Sequence, residues 1–124
     1  MTDLPLTGIA STYSGNLEGG QTASGERYRG ALFTAAILPR ARWKLVPMGT
    51  RVAATCNGRT VVVKVNDKGA GDGHMTRVLD LSRAAYAYLD GKRLDQINDH
   101  NIGLLHLTAI RIVDRATPLG PMAS

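Results

Sequence analysis

Three carboxylates of this chain stand where acid–base chemistry is feasible. Asp80 lies in "RVLDLS", flanked by Val78, Leu79 and Leu81. A carboxyl among apolar neighbours resists ionisation, which pushes its pKa toward the range that a general acid needs near neutral pH. Asp67 follows the alternating run "VVVKV" and opens "DKGAGDG", so its side chain emerges where a strand gives way to a loop, a common place for working residues. Glu26 sits in "QTASGERY" between small residues and Tyr28. Each has a plainer reading. Asp80 can accept from amides at the start of a helix, Asp67 can form the turn in Asn-Asp-Lys-Gly, and Glu26 can be a solvated surface charge. Together they match what cleavage of a glycosidic bond requires, an acid near the leaving oxygen and a second group to meet the developing charge or handle the nucleophile.

Short strands must position these groups. The candidates are "GIASTYS" (8–14), "RVAATC" (51–56), "RTVVVKVN" (59–66) and "LTAIRIVD" (107–114), each β-branched or alternating in polarity, and "RVLDL" supplies a further short strand. Asn57-Gly58 between the second and third is a hairpin signal, since both residues tolerate positive φ. "SRAAYAYLDG" predicts one helix over 82–90, with Ser82 as N-cap, Gly91 just past its end, and Ala85, Tyr88 and Leu89 on a buried face. Glycine is spread over many turns and there is no internal repeat, which suits a mainly β fold. The expectation is a single domain spanning 1–124, with a core over about 8–114 and a turn-rich tail over 115–124 that has no packing pattern.

With 124 residues, 44% hydrophobic and 20% charged, the chain can bury one core. No stretch approaches the roughly 20 apolar residues that span a bilayer. The start "MTDLPLTGIAS" shows no signal peptide. Cys56 is the only cysteine, so no internal disulfide forms, and a small strand residue is its simplest role. The net charge of +5 favours a polyanionic partner, whether nucleic acid, wall polymer or acidic membrane surface. Few aromatics accompany the basic residues, which disfavours nucleic acid. Trp43 in "RARWKL" either stacks on a base or sugar ring or anchors its own loop. "GAGDG" lacks the Lys-Ser/Thr of a phosphate loop and the ligand alternation of a calcium loop. His74, His100 and His106 lack metal-ligand spacing, so no metal is expected.

The motifs "GIASTY", "TASGERY", "FTAA", "PMGTRV", "NGRTVVVKVNDKG" and "RVLDLSRAA" follow one another in an order that resembles the double-psi β-barrel domain of the rare lipoprotein A family. The likeness covers roughly 8–90, with a closing strand at 107–114. More distantly the chain is similar to expansins, membrane-bound lytic transglycosylase A and family 45 endoglucanases. The resemblance implies a mainly β, six-stranded double-psi β-barrel with one short helix, acting on peptidoglycan glycan strands without metal or organic cofactor. It implies lytic transglycosylation, which leaves 1,6-anhydro-muramic ends, with Asp80, Asp67 and Glu26 as the catalytic carboxylates. Polar residues of the same motifs, Tyr13, Thr22, Ser24, Tyr28, Asn66, Lys68 and Arg77, become candidates for holding the sugar, as does His74.

The chain departs from the family in several places, among them a longer loop after Asp67 and "DKG" where the family has "DRG". Ile37 fills the position of the family's "TAAH" histidine. The segment "LPRARWKLV" is inserted before "PMGT", and "KRLDQINDHNIGLLH" lengthens the last connection. Ile37 favours a second reading, a non-catalytic glycan-binding or structural module. The absence of a leader suggests a setting in a bacteriophage tail or baseplate, with tail proteins as partners and the bacterial wall or periplasm as the place of action.

Overall fold

The computed structural model describes residues 4–71 and 75–122. The most regular element is a hairpin. Strand β3 (Arg51–Cys56) pairs antiparallel with β4 (Arg59–Lys68), and the buried valines 61, 62, 63 and 65 make β4 the longest strand. Asn57 and Gly58 join them with φ of 53° and 79°, the two positive values a tight hairpin turn demands. The other strands are β1 (Gly8–Thr12), β2 (Thr34–Ile37), β5 (Arg77–Leu81), β6 (Leu105–Leu107), β7 (Ala109–Val113) and β8 (Gly120–Met122).

The strands run in the order β6-β1-β5-β2-β4-β3-β7, with β8 paired to β4. The ends of this order, β6 and β7, are successive segments broken only at Thr108, whose amide donates to Thr55 O (2.8 Å). The sheet thus closes on itself as a barrel. Counting β6 and β7 as one strand recovers the expected six, and β8 is an addition. Two pairs are parallel, β1 with β5 and β2 with β4, and each has a register shift. Val78 is the extra residue on β5 and Asn66 the extra residue on β4. Such a bulge re-aims the side chains beyond it. Inside the barrel Ala10, Ala35, Ile37, Val52, Val63, Leu79, Leu81 and Leu107 pack in one core with Ala85 and Leu89 of the helix.

Three local expectations are corrected. The helix α1 is Arg83–Leu89, and the Ser82 hydroxyl does not cap it but accepts from Thr34 N (3.2 Å). Its buried face includes Tyr86, while Tyr88 is half-buried with the Arg59 guanidinium 5.5 Å above its ring. The C-terminal stretch is not a loose tail: β8 lies along β4, and the Arg51 guanidinium donates to Thr117 O. No strand was expected at 34–37, because "TAAI" carries little β-branched signal; β2 forms between β4 and β5, where small alanines let neighbouring strands and side chains close over it.

Gly8 faces inward at the mouth of β1, where a Cβ would meet Val78 Cγ2 at 2.4 Å and Thr76 O at 3.2 Å. Gly8→Ala is expected to destabilise the barrel by about 1–3 kcal/mol, seen as a lower urea midpoint at unchanged slope.

Candidate active site

Strand register sets the frame of the site. Ser11 on β1 pairs with Asp80 on β5, Asp80 pairs with Ala36 on β2, and Ala36 pairs with Asp67 on β4. Residues directly opposite across neighbouring strands share a face, so Ser11, Asp80, Ala36 and Asp67 form one row on the outside of the barrel. The two aspartates are two strand spacings apart, about 10 Å between backbones, with only a methyl group between them. Ala36 of the row also packs with Tyr13, Tyr28 and Leu38 in a small apolar cluster separate from the main core. The two tyrosine rings stack at 4.2 Å with planes 7° apart.

The bulges decide which charges reach this face. Val61, Val63 and Val65 point into the core, so strict alternation would bury Asp67 with them; the extra residue Asn66 turns it outward. On β5 the inward residues are Leu79 and Leu81, and the extra Val78 brings Arg77 to the side of Asp80. Arg77 Nε donates to Ser11 Oγ (2.9 Å), and that hydroxyl donates to Asp80 Oδ1 (3.1 Å).

The two aspartates have contrasting environments. Burial pushes the Asp80 carboxyl above its ordinary pKa; the Ser11 hydrogen bond and the Arg77 charge oppose this, and the Asp67 charge adds to it. Asp80 does not cap the helix. Asp67 is fixed by three donors: Tyr13 Oη to Oδ2 (2.7 Å), and the amides of Ala23 and Lys68 to Oδ1 (2.9 Å each). Its turn-forming bond to Lys68 is thus one of three contacts. Burial first, then the bond to Asp67, raises the Tyr13 hydroxyl far above its usual range, so it stays a neutral donor.

Glu26 reaches the same loop cluster but is exposed and engaged by Lys64 Nζ at 2.8 Å. That bond, more than any other cause, lowers its pKa, which keeps it ionised and unsuited to donating a proton. Its loop docks on β4 through Ser24 N to Asn66 O (3.0 Å) and is closed by Thr22 Oγ1 to Glu26 O (2.6 Å). Of the residues expected to hold sugar, Ser24, Lys68 and Arg77 are accessible in whole or part. Tyr13, Thr22, Tyr28 and Asn66 are buried and hydrogen-bond to neighbouring strands and loops. Tyr28 Oη accepts from Arg83 N (3.1 Å). His74 lies outside the described residues. His100 and His106 are exposed, and among the described residues no three His, Cys, Asp or Glu side chains gather as a metal site. Ile37 is fully buried in the core, on the opposite face of β2 from Ala36.

Sequence reasoning missed Ser11, Arg83 and Asp99. Arg83, at the start of α1, donates from Nε to Tyr13 O (2.5 Å) and pairs through Nη2 with Asp99, which also accepts from Gly15 N (2.9 Å). It thereby ties the lengthened last connection to the tyrosine stack. Trp43 anchors its loop, with Nε1 donating to Gly69 O (3.1 Å) and Arg40 and Lys68 lying 5.1 and 5.7 Å from the ring.

Comparison with known proteins places this geometry. Residues 6–101 match the model of a family described as lytic transglycolase. The endolytic peptidoglycan transglycosylase RlpA of Neisseria meningitidis serogroup A is 44% identical over 87 residues, covering 68% of this chain and 33% of that protein. The protein of the same name from Yersinia pestis is 34% identical over 116 residues, covering 92% of this chain and 28% of that one. The chain thus spans about a third or less of the length of these relatives. Among solved structures, the apo expansin of Clavibacter michiganensis superposes with a TM-score of 0.63 at 24% identity, over 93% of this chain and 52% of that one, a likeness of fold. The Streptomyces papain inhibitor superposes with a TM-score of 0.56 at 29% identity, over 87% of this chain and 98% of that one.

Two titrations check the electrostatics. By carboxyl carbon NMR, Asp67→Asn should lower the pKa of Asp80 and Arg77→Met should raise it. Because the folded value of Asp80 is raised, its favourable contribution is full below the unfolded pKa of about 3.9 and is lost as pH rises through the folded value. Asp80→Asn should therefore stabilise the chain at neutral pH, by about 1 kcal/mol, and lose that advantage in acid, as read from urea midpoints at the two pH values.

Proposed function

This chain belongs to the lytic transglycolase family of double-psi β-barrels, and we propose that it cleaves peptidoglycan glycan strands between N-acetylmuramic acid and N-acetylglucosamine. The observation that carries this reading is the pair of aspartates on one outer row, one with its pKa raised by burial and the other held by three donors. A glycosidic cleavage needs that division of labour.

In the proposed reaction Asp80 gives its proton to the bridging oxygen as the bond to the muramic C1 breaks. Asp67, fixed on its tyrosine, faces the positive charge that develops on the sugar ring. The Asp80 carboxylate then takes the proton of the sugar's own 6-hydroxyl as that oxygen closes on C1, which yields the 1,6-anhydro end and restores the acid. The Arg77–Ser11 pair orients Asp80, a task that Ile37 cannot perform from inside the core. Glu26 acts at a distance, since its bond to Lys64 keeps the loop that carries the Ala23 amide on Asp67. Accessible Ser24, Lys68 and Arg77 are the proposed sugar contacts.

The domain, taken as one unit over the chain, is the proposed catalytic piece of what is a longer protein in its relatives, with the cell wall as its place of action. The setting in a bacteriophage tail or baseplate draws nothing from those bacterial relatives. The buried Ile37 favours the other reading, a barrel that binds glycan without cutting it.

Incubation of the purified chain with peptidoglycan sacculi and with glycan strands stripped of peptide, followed by mass spectrometry of soluble products, separates the two. Anhydro-muropeptides are expected from the wild type, reduced about 100-fold or more in Asp80→Asn and about tenfold in Tyr13→Phe, which removes one hydrogen bond to a charged group. Cosedimentation with sacculi and no products from the wild type would establish the binding module.

A further inference from the structure

A cleft of about 540 Å³ opens beside the carboxylate row, and none of the proposed catalytic carboxylates lines it. Its walls include the aliphatic Ile9, Met75 and Leu107, the hydroxyl-bearing Thr7 and Thr76, and Arg42. Ile9 stands two residues before Ser11 on the same face of β1, about 7 Å away along an extended strand. Thr76 immediately precedes Arg77. The cleft therefore runs into the Asp80 end of the row.

Arg42 is the unusual member. It is 5% exposed, and its guanidinium donates to three carbonyls: Leu38 O (2.8 Å), Met75 O (2.6 Å) and, at 3.4 Å, Arg77 O. Its Nε has no partner, and no carboxylate among the described residues forms an ion pair with it. Carbonyls satisfy its hydrogen bonds but leave its charge uncompensated, and a buried charge without a counter-charge is costly. An anion in the adjoining cleft would supply that charge at short range in a medium of low dielectric. Among the described residues no Phe, Tyr or Trp lines the cleft, and its one ring is the exposed His106 imidazole opposite Ile9; aliphatic walls, two hydroxyls and the Arg42 cation fit a short aliphatic arm that ends in a carboxylate.

We propose that this cleft receives the carboxylate-bearing arm of a muramic acid residue bound over Asp80, with Arg42 as its counter-charge. The inference rests on the glycan-cleaving reading above. The carboxylate has two sources, the lactyl group itself on a strand stripped of peptide, or the stem peptide that the lactyl group carries. Either way, muramic acid is distinguished from N-acetylglucosamine by the arm, and the sugar whose C1 is attacked is placed over the acid.

The test is amide NMR titration of the chain with three probes: N-acetylmuramic acid, N-acetylmuramyl-L-alanyl-D-isoglutamine and N-acetylglucosamine. Shifts at residues 7–9 and 75–77 are expected with the first probe, the second or both, which names the source of the carboxylate, and not with the third. Arg42→Met should weaken the response about tenfold or more. Thr7→Trp, which fills the cleft from an exposed position, should abolish it and serves if the Arg42 variant fails to fold. No carboxylate-dependent shift, or equal shifts with N-acetylglucosamine, would overturn the proposal even if the chain cleaves glycan. Cleft binding without any cleavage would overturn the enzymatic reading and leave the cleft assignment standing.

Discussion

Everything at the candidate site depends on a single extra residue in each of the two parallel strand pairs. Side-chain direction along a strand has a period of two, so one inserted residue moves all that follows to the other face. In β4 the insertion at Asn66 exchanges burial of Asp67 for exposure; in β5 the insertion at Val78 does the same for Arg77. Asn66 is itself 4% exposed, and its carbonyl accepts from Ser24, so the irregularity that turns Asp67 outward also docks the loop whose Ala23 amide holds it.

The electrostatics follow from that geometry. The Asp67 charge discourages ionisation of Asp80, and the two carboxyl groups have different surroundings. Asp67 gathers donors from three different chain segments, whereas Asp80 is flanked by Leu79 and Leu81 and receives one hydroxyl. The buried tyrosine stack presents a neutral donor to Asp67 and is held from behind by Arg83.

Much of the barrel was legible because its strongest elements carry local signals. The valine run and Asn57-Gly58 define the β3–β4 hairpin without reference to anything distant. Strand β2 was not legible, since alanines become a strand only when β4 and β5 flank them. The carboxylates were found as residue types in loop and strand-end positions, but their shared face was not, because parity counted along β4 would place Asp67 with the core valines. Register shifts are properties of a pairing and leave no mark in either strand alone. Arg83 and Asp99 escaped for a related reason: an ion pair between a helix start and a long connection has no spacing rule. The tyrosines were named from the sequence as sugar contacts, yet their burial against each other comes from stacking that sequence order does not encode.

The separations along the chain carry a last consequence. Ser11 meets Asp80 across 69 residues, Tyr13 meets Asp67 across 54, and Arg83 meets the Tyr13 carbonyl across 70. Contacts this distant in sequence pay their loop-closure entropy before they return any stabilisation, and topologies rich in them fold slowly. Each half of the row comes from a segment that is inert until the other is in place, and the Arg83–Asp99 pair adds a contribution from beyond the helix. The two acids therefore acquire their contrasting surroundings only once the β1–β5 and β2–β4 pairings have both formed, and a nascent or partly unfolded chain displays two ordinary aspartates in place of a working pair.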